Sequence, residues 1–491
     1  MEEYILSIDA GTTNIKAALV NRQGQFSGSA SQALSMHHPL PGWSEQDPNQ
    51  ILRALKQTVQ ECIHGVGRTT LKGVSISNQR ESILVWDKSS GKAIVPLISW
   101  QCNRSKDVCT HLIKNGHQEM VYAKTGLVID TLFPAAKLSM TLDTLPNATE
   151  MLSSGKWLVG TVDAWLLWHL SDGEIFATDV SNASRTQLYN IHEQRWDKDL
   201  LDLFRIPEAC LPEVRPSSSS FGCVKAFTNE IDGLPIISMI GDSHAALYGH
   251  TNFSEGVKAT YGTGSSLMAP VSSPIVSQER SLTTTVAWQD DEGMTFALEG
   301  NILHTGAAVG WMSSLFNGIK SEDLTRIPAL LYDNGGVYFV PALSGLGAPH
   351  WNSNVKGIIC GLTDSITTEH LVRAALESIA FQVKDVFDAM EQATGRKLNR
   401  LFVDGGPTAN PWLMQFQADV LNRPIVRSKV PEVSALGAAY LGGKTLGWWN
   451  THDEISTLER ATEIFEPNPS AIHLEAIEGW KSAIAKCLTN T

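Results

Sequence analysis

Four short stretches carry residue types that could do chemistry together. Asp9 ends an apolar run and directly precedes a Gly11-Thr12-Thr13 turn. A carboxylate beside a nest of backbone N–H groups suits an Mg²⁺ held mostly through water, as that ion meets a nucleotide; the same residue serves equally as an Asx-type turn cap. Asp242 follows the apolar run Ile236 to Ile240 and Gly241 and opens a helical stretch. At a strand end facing a cleft it can accept a hydroxyl proton, and the competing reading is a helix N-cap. His244, next along, is a second candidate base whose ordinary role would be packing.

Arg80 and Glu81 are neighbours where Val74 to Ser77 ends. Adjacent residues of a regular strand face opposite ways, so both reach one ligand only if the strand stops there. They would then offer fork donors and a two-oxygen acceptor, a match for a vicinal diol. Otherwise they form a surface ion pair worth ~0–1 kcal/mol. Asp404-Gly405-Gly406 ends the run Leu401 to Val403 and leads through Asn410 into a helix at Pro411. A Gly-Gly turn there lets backbone approach a flat ligand such as a nucleoside. Neither GxGxxG at a strand–helix junction nor GxxxxGK[ST] occurs, which excludes a dinucleotide fingerprint and a P-loop.

The elements that must position these residues show a repeat. Residues 5–20 read as strand, Gly-Thr-Thr turn, strand, and residues 257–269 repeat the pattern around Tyr261-Gly262-Thr263-Gly264. Two such hairpins divide the chain nearly in half and predict two related α/β domains, 1–249 and 250–491, each presenting a turn to a shared cleft. Residues 156–170 read as a buried helix after Asp163. The Pro- and Ser-rich stretch 212–220 reads as a surface loop, 369–394 and 411–421 as helices, and the last 40 residues as helical.

With 491 residues, 43% hydrophobic and 18% charged, the chain can bury a sizeable core. The 38 Lys and Arg against 51 Asp and Glu give a charge of −13, which speaks against a sequence-blind nucleic-acid binder. Seven cysteines without a CxxC pair read as reduced thiols, and the histidines show no HExxH spacing. No apolar run is long enough to span a membrane, and Met1-Glu2-Glu3 is the wrong start for a signal peptide. A cytoplasmic enzyme is expected. Phosphoryl transfer is the reaction class that uses two phosphate-type turns, a nucleoside-type turn and cleft carboxylates together.

These motifs resemble the FGGY carbohydrate kinases, closest to glycerol kinases. The resemblance runs over residues 4–449, with GIICGLTDSITTEHLVRAALESIAFQ (357–382), DGGPTANPWLMQFQADVL (404–421), SNQRESILVWDKSSGKAI and SNASRTQLYNIH as its most specific segments. It implies a duplicated ribonuclease-H-like fold of the actin and hexokinase type, with ATP and Mg²⁺ as cofactors. Asp242 then matches the general base. Gly11, Thr12, Thr13, Thr263 and Gly264 match the phosphate turns, and Lys16 stands where glycerol kinases usually carry arginine. Gly306, Gly406 and Asn410 match nucleotide positions; Arg80, Glu81 and Trp100 match residues that grip glycerol and pack its carbon face.

The departures concern substrate. Thr131-Leu132-Phe133 replaces Pro-Tyr-Phe, Asp242-Ser243-His244 replaces Asp-Gln-Gln, and Ser266 replaces phenylalanine. Smaller groups at Leu132, Ser243 and Ser266 leave glycerol with unfilled space, so a polyol or ketose of four or five carbons is expected, with glycerol as the alternative. An actin- or chaperone-like ATPase and a catalytically silent relative are the other readings. The expected partners are a small polyol or sugar and a second copy of the chain as a homodimer, with no nucleic acid and no membrane.

Overall fold

A computed structural model describes residues 2–489 except 251–252, 254–255, 277–278, 317–320 and 431. The strand Tyr4–Ala10 pairs antiparallel with Asn14–Asn21, which pairs antiparallel with Phe26–Ala33. On its other edge Tyr4–Ala10 runs parallel to Leu71–Asn78, and Leu71–Asn78 parallel to Ile236–Gly241. The second sheet repeats this plan. Val257–Tyr261, Ser265–Val271 and Gly293–Ile302 form the antiparallel meander, and Leu401–Asp404 and Ile425–Ser428 add the parallel strands. Thr283–Asp290 and Thr462–Phe465 extend the second sheet at its two edges. The repeat read from two hairpins is therefore a duplication of whole sheets.

Helices cover both faces, so the parallel strands are near-continuous apolar runs; Ile5, Leu6 and Ile8 are all fully buried. One covering helix crosses between the halves. Val433–Thr445 lies on the first sheet, accepting from Ser7 Oγ at Ala435 O (2.6 Å) and from Ser238 Oγ at Ala438 O (2.9 Å). It meets the helix Asp242–Gly249 so closely that a Cβ on Gly437 would lie 1.8 Å from Ala245 O. The C-terminal segment thus braces the helix that begins with Asp242.

Two stretches differ from the sequence expectation. Within 212–220, Glu213–Arg215 pairs parallel with Ala177–Asp179, and buried Ser217 donates to Asp179 Oδ2 at 2.6 Å. One serine of the stretch thus caps a buried aspartate, while Glu213, Pro216 and Ser220 stay exposed as a surface loop would leave them. In the last 40 residues, the strand Thr462–Phe465 precedes the helix Ala471–Thr489; alternate exposure on a sheet edge hid it.

Candidate active site

Both Gly-Thr turns lie at the ends of their meanders, and both place a threonine, Thr13 or Thr263, exposed at the tip. In the first, Gly11 N donates to Asn14 O at 3.0 Å. Thr12 Oγ1 accepts from Trp100 Nε1 at 2.9 Å, and Gln46 Nε2 donates to Thr12 O at 2.8 Å. Trp100, expected against a substrate's carbon face, is tied by its indole N–H to the first Gly-Thr turn. In the second, Gly262 N donates to Gly264 O, while Gly306 N donates to Gly262 O at 3.0 Å and Thr305 N to Thr263 O at 2.9 Å. The turn is docked on the N-terminus of the helix Gly306–Leu315. A Cβ on Gly306 would lie 2.6 Å from Gly262 O, and one on Gly264 2.5 Å from Ile302 O. Backbone contact at both places requires glycine.

Asp9 projects beside the first turn. Ser77 Oγ donates to its Oδ1 at 2.6 Å, and burial raises its pKa while Ser77 and Lys16 oppose that. Lys16, its cross-strand partner, reaches Glu432 Oε2 at 2.7 Å in the C-terminal half. The Gly-Gly turn holds Gly405 at φ 96°, where a Cβ would lie 2.0 Å from Tyr261 O, and leaves open space over Gly406. Asn410 is committed elsewhere. Its side chain caps the helix Pro411–Leu421 by accepting from Leu413 N (3.2 Å) and donates to Leu324 O (3.1 Å).

Opposite the turns lies a buried ion cluster drawn from both halves. Leu71–Asn78 ends three residues before Glu81, whose φ of 58° turns the chain so that Arg80 and Glu81 face one centre. Arg80 Nη2 contacts Glu299 Oε1 at 2.9 Å, and its Nε lies 3.3 Å from Asp242 Oδ1. Arg185 closes the ring, with Nε on Glu81 Oε1 and Nη1 on Glu299 Oε2, both at 2.6 Å. Against the cost of burial, Arg185 and Arg80 hold the Glu299 carboxyl well below the usual range. Gly241 is glycine because a Cβ there would sit 2.6 Å from Arg80 Cγ.

Asp242 is the first residue of its helix, with Oδ1 accepting from Ser243 N at 2.6 Å. A third of its side chain stays open to the cleft. Burial raises its pKa to about 6, Arg80 opposes the rise, and Asp9 and Glu81 add to it. A carboxylate so tuned is ionised at neutral pH yet basic enough to take a proton. His244 is fully buried, 3.3 Å from Thr285 Oγ1, and burial with the nearby guanidiniums of Arg80 and Arg185 holds its pKa well below normal. It packs as a neutral ring.

Of the expected wall residues, Ser243 and Ser266 touch this cluster. Ser266 Oγ donates to Glu299 Oε1 at 3.0 Å, the same oxygen that holds Arg80. Leu132 packs with Tyr122, Leu127, Val128 and Phe133, and Phe133 underlies Arg185. Sequence reading missed Glu299 and Arg185. Their signals were present: a glutamate inside the apolar strand Phe296 to Ile302, and an arginine inside the SNASRTQLYNIH segment already singled out.

A duplicated α/β fold with a Gly-Thr turn from each half and a buried ion cluster drawn from both is the architecture of the actin- and hexokinase-type carbohydrate kinases. The comparisons agree. Models of the FGGY family of carbohydrate kinases match residues 4–249 (N-terminal domain) and 257–446 (C-terminal domain), and the chain belongs to that family. It is 49% identical over 489 residues to the apulose kinase of Pectobacterium atrosepticum, covering 98% of each chain. It is 42% identical over 495 residues to the glycerol kinase of Pseudothermotoga lettingae, covering 99% of each. Among solved structures, Plasmodium falciparum glycerol kinase with ADP superposes with a TM-score of 0.92 at 32% identity, covering 99% of this chain and 98% of that one. The protein is a phosphotransferase acting on an alcohol group, and ATP is the family's phosphoryl donor. Among the described residues no helix is long and apolar enough to cross a membrane.

Proposed function

We propose that the protein phosphorylates a terminal hydroxyl of a ketose or polyol of four or five carbons, an apulose-like sugar being the first candidate. The observation that carries this reading is the sugar wall. Ser266 presents a hydroxyl bonded to Glu299, and Leu132 presents no hydroxyl, so the pocket is wider and differently polar than a phenyl and a phenol would leave it. The 49% identity to an apulose kinase supports it independently.

In this reading Arg80 and Glu81 hold a diol of the substrate, and Asp242 accepts the proton of the attacking hydroxyl. Thr13 and Thr263 at the exposed tips, with Gly264, receive the phosphate oxygens, Gly11 and Thr12 shape the first turn through their own hydrogen bonds, and the open face of Gly406 lies under the nucleoside. The close backbone packing at Gly264 and Gly306 fixes the shape of the second turn, and Thr263 stands exposed at its tip, open to a phosphate. Asp9 fits a cation, since Ser77 is its one side-chain hydrogen bond among the described residues. No three His, Cys, Asp or Glu side chains converge there among the described residues, so Mg²⁺ would be held mainly through water and phosphate oxygens. When bound, that ion neutralises charge on the transferring phosphoryl group. Residues 1–249 supply the sugar grip and first turn, and 250–491 the nucleotide side together with Ser266 and Glu299 of the sugar wall.

A coupled ADP assay across glycerol, erythritol, and the pentuloses and pentitols with apulose included tests the reading, with water as control. A four- or five-carbon acceptor should exceed glycerol in kcat/KM by roughly 10–200-fold. Glycerol as the best acceptor would overturn the substrate assignment, and ADP release independent of any acceptor would favour the ATPase reading.

A further inference from the structure

Glu299 and Asn301 are two residues apart on one strand, so their side chains share a face of the second sheet. Ser266 lies directly across from Asn301 in antiparallel register, which places the two side chains side by side, with Cβ atoms about 4.5–5.5 Å apart. Ser266 in turn touches Glu299, and Glu299 holds Arg80 beside Asp242. Asn301 therefore flanks the place where a substrate gripped by Arg80 would extend. Its Nδ2 is shut off from bulk solvent, and among the described residues it has no hydrogen-bond partner. The backbone beneath it is fixed: Ala348 N donates to Asn301 O at 2.9 Å, and Gly347 packs so closely that a Cβ there would lie 2.2 Å from that oxygen.

A buried amide donor without a partner is costly, and proteins keep such groups paired. This one is held rigidly next to the position where a smaller side chain opens the wall. We infer that Asn301 is a specificity-determining residue whose carboxamide hydrogen-bonds a substrate hydroxyl beyond the diol held by Arg80 and Glu81. A carboxamide both donates and accepts, as does a hydroxyl, so the pair is matched in either orientation of the amide. Glycerol, with three carbons, has no oxygen left for it once its diol is held and its terminal hydroxyl is turned to Asp242. The inference rests on the reading of a four- or five-carbon substrate and adds the group that would recognise the extra carbon's oxygen.

The test compares the wild-type enzyme with Asn301→Leu, which keeps the volume, and Asn301→Ala, which removes it. Each is assayed with glycerol, with the best longer acceptor, and with the deoxy analogue of that acceptor lacking the distal hydroxyl. Thermal melts show that each variant is folded. Both variants should lose about 10-fold in kcat/KM for the longer acceptor, mostly through KM, the effect of one uncharged hydrogen bond. Glycerol and the deoxy analogue should change less than about 3-fold, because neither reaches the amide. Equal losses on all three acceptors, or no loss on any, would overturn the role of Asn301. The wild-type ratio of longer acceptor to glycerol is read separately. A wild type that prefers glycerol overturns the substrate reading, while a selective loss in the variants would still uphold the contact.

Discussion

The phosphate side and the sugar side of this cleft are built from different materials. On the proposed phosphate side two short turns are shaped by their own backbone hydrogen bonds, and what constrains the sequence is the close backbone packing at Gly264 and Gly306. On the proposed sugar side the groups are long side chains, Arg80, Glu81, Arg185 and Glu299, brought from three separated segments into one ring. Backbone recognition is local and tolerates any neighbour that keeps the turn. Side-chain recognition is long-range, and one change in it alters what the pocket accepts. A family can therefore keep its phosphoryl donor while its acceptor varies.

The largest effect should come from Asp242, where the two sides meet. Asp242→Asn should lower kcat by about 10²–10⁴-fold while leaving ATP binding in place. Isothermal titration with ATP and steady-state ADP release measure both, and near-wild-type kcat would remove Asp242 as the base. The pH profile sharpens the assignment. Asp242 acts as the ionised form and its pKa is raised to about 6, so activity should hold above that pH and fall as pH drops through it. The limb should be missing from the residual activity of the Asn variant.

Next in size is Glu299→Gln, which breaks the sugar side alone. It leaves two buried guanidiniums with one carboxylate fewer, and removing one partner of such a pair costs about 3–5 kcal/mol. The expected outcome is a lower Tm together with a KM for sugar that rises far more than the KM for ATP. Parallel rises in both would mean that the ring holds the halves together without orienting the acceptor. Gly306→Ala is the reciprocal break. A methyl 2.6 Å from Gly262 O must push the second turn away, at about 1–3 kcal/mol for an overpacked contact. Here the KM for ATP should rise and the KM for sugar should stay, and a variant that binds both normally would show the turn to be dispensable.

The same contrast explains what could be read without a structure. Both Gly-Thr hairpins, the Gly-Gly turn and the long helix Thr368–Thr394 were visible because turn residues and helical spacing act within a few positions. Glu299 and Arg185 were not, because a charge inside an apolar strand has no assigned partner until the sheets are placed. The turn at Glu81 was legible only as a condition, that both side chains converge if the strand stops, and its φ of 58° meets that condition. Asn410 carries a second signal: an asparagine before a proline-started helix is a cap, and its side chain accepts from Leu413 N.

The smallest expected effect is the most specific to this chain. Leu132 and Ser266 stand on opposite halves, one in the apolar group around Phe133 and the other bonded to Glu299. Leu132→Tyr with Ser266→Phe returns a phenol and a phenyl to the wall without touching Arg80, Glu81 or Asp242. Filling that space removes room for a fourth carbon and strips Glu299 of one donor, so longer acceptors should lose and glycerol should gain. Each pocket group is worth ~1–3 kcal/mol, so the ratio of the two kcat/KM values should move by roughly 10–200-fold toward glycerol. The KM for ATP should move less than the sugar ratio; Ser266 stands two residues past Gly264 on the strand leaving the second turn, so the ATP control is read on Leu132→Tyr alone as well. A ratio that stays fixed while both sugars weaken would mean that the wall bears on the fold of the cluster and that acceptor length is set elsewhere. A shift confined to Ser266→Phe would place the discrimination on the second half, beside Asn301, and leave Leu132 as packing.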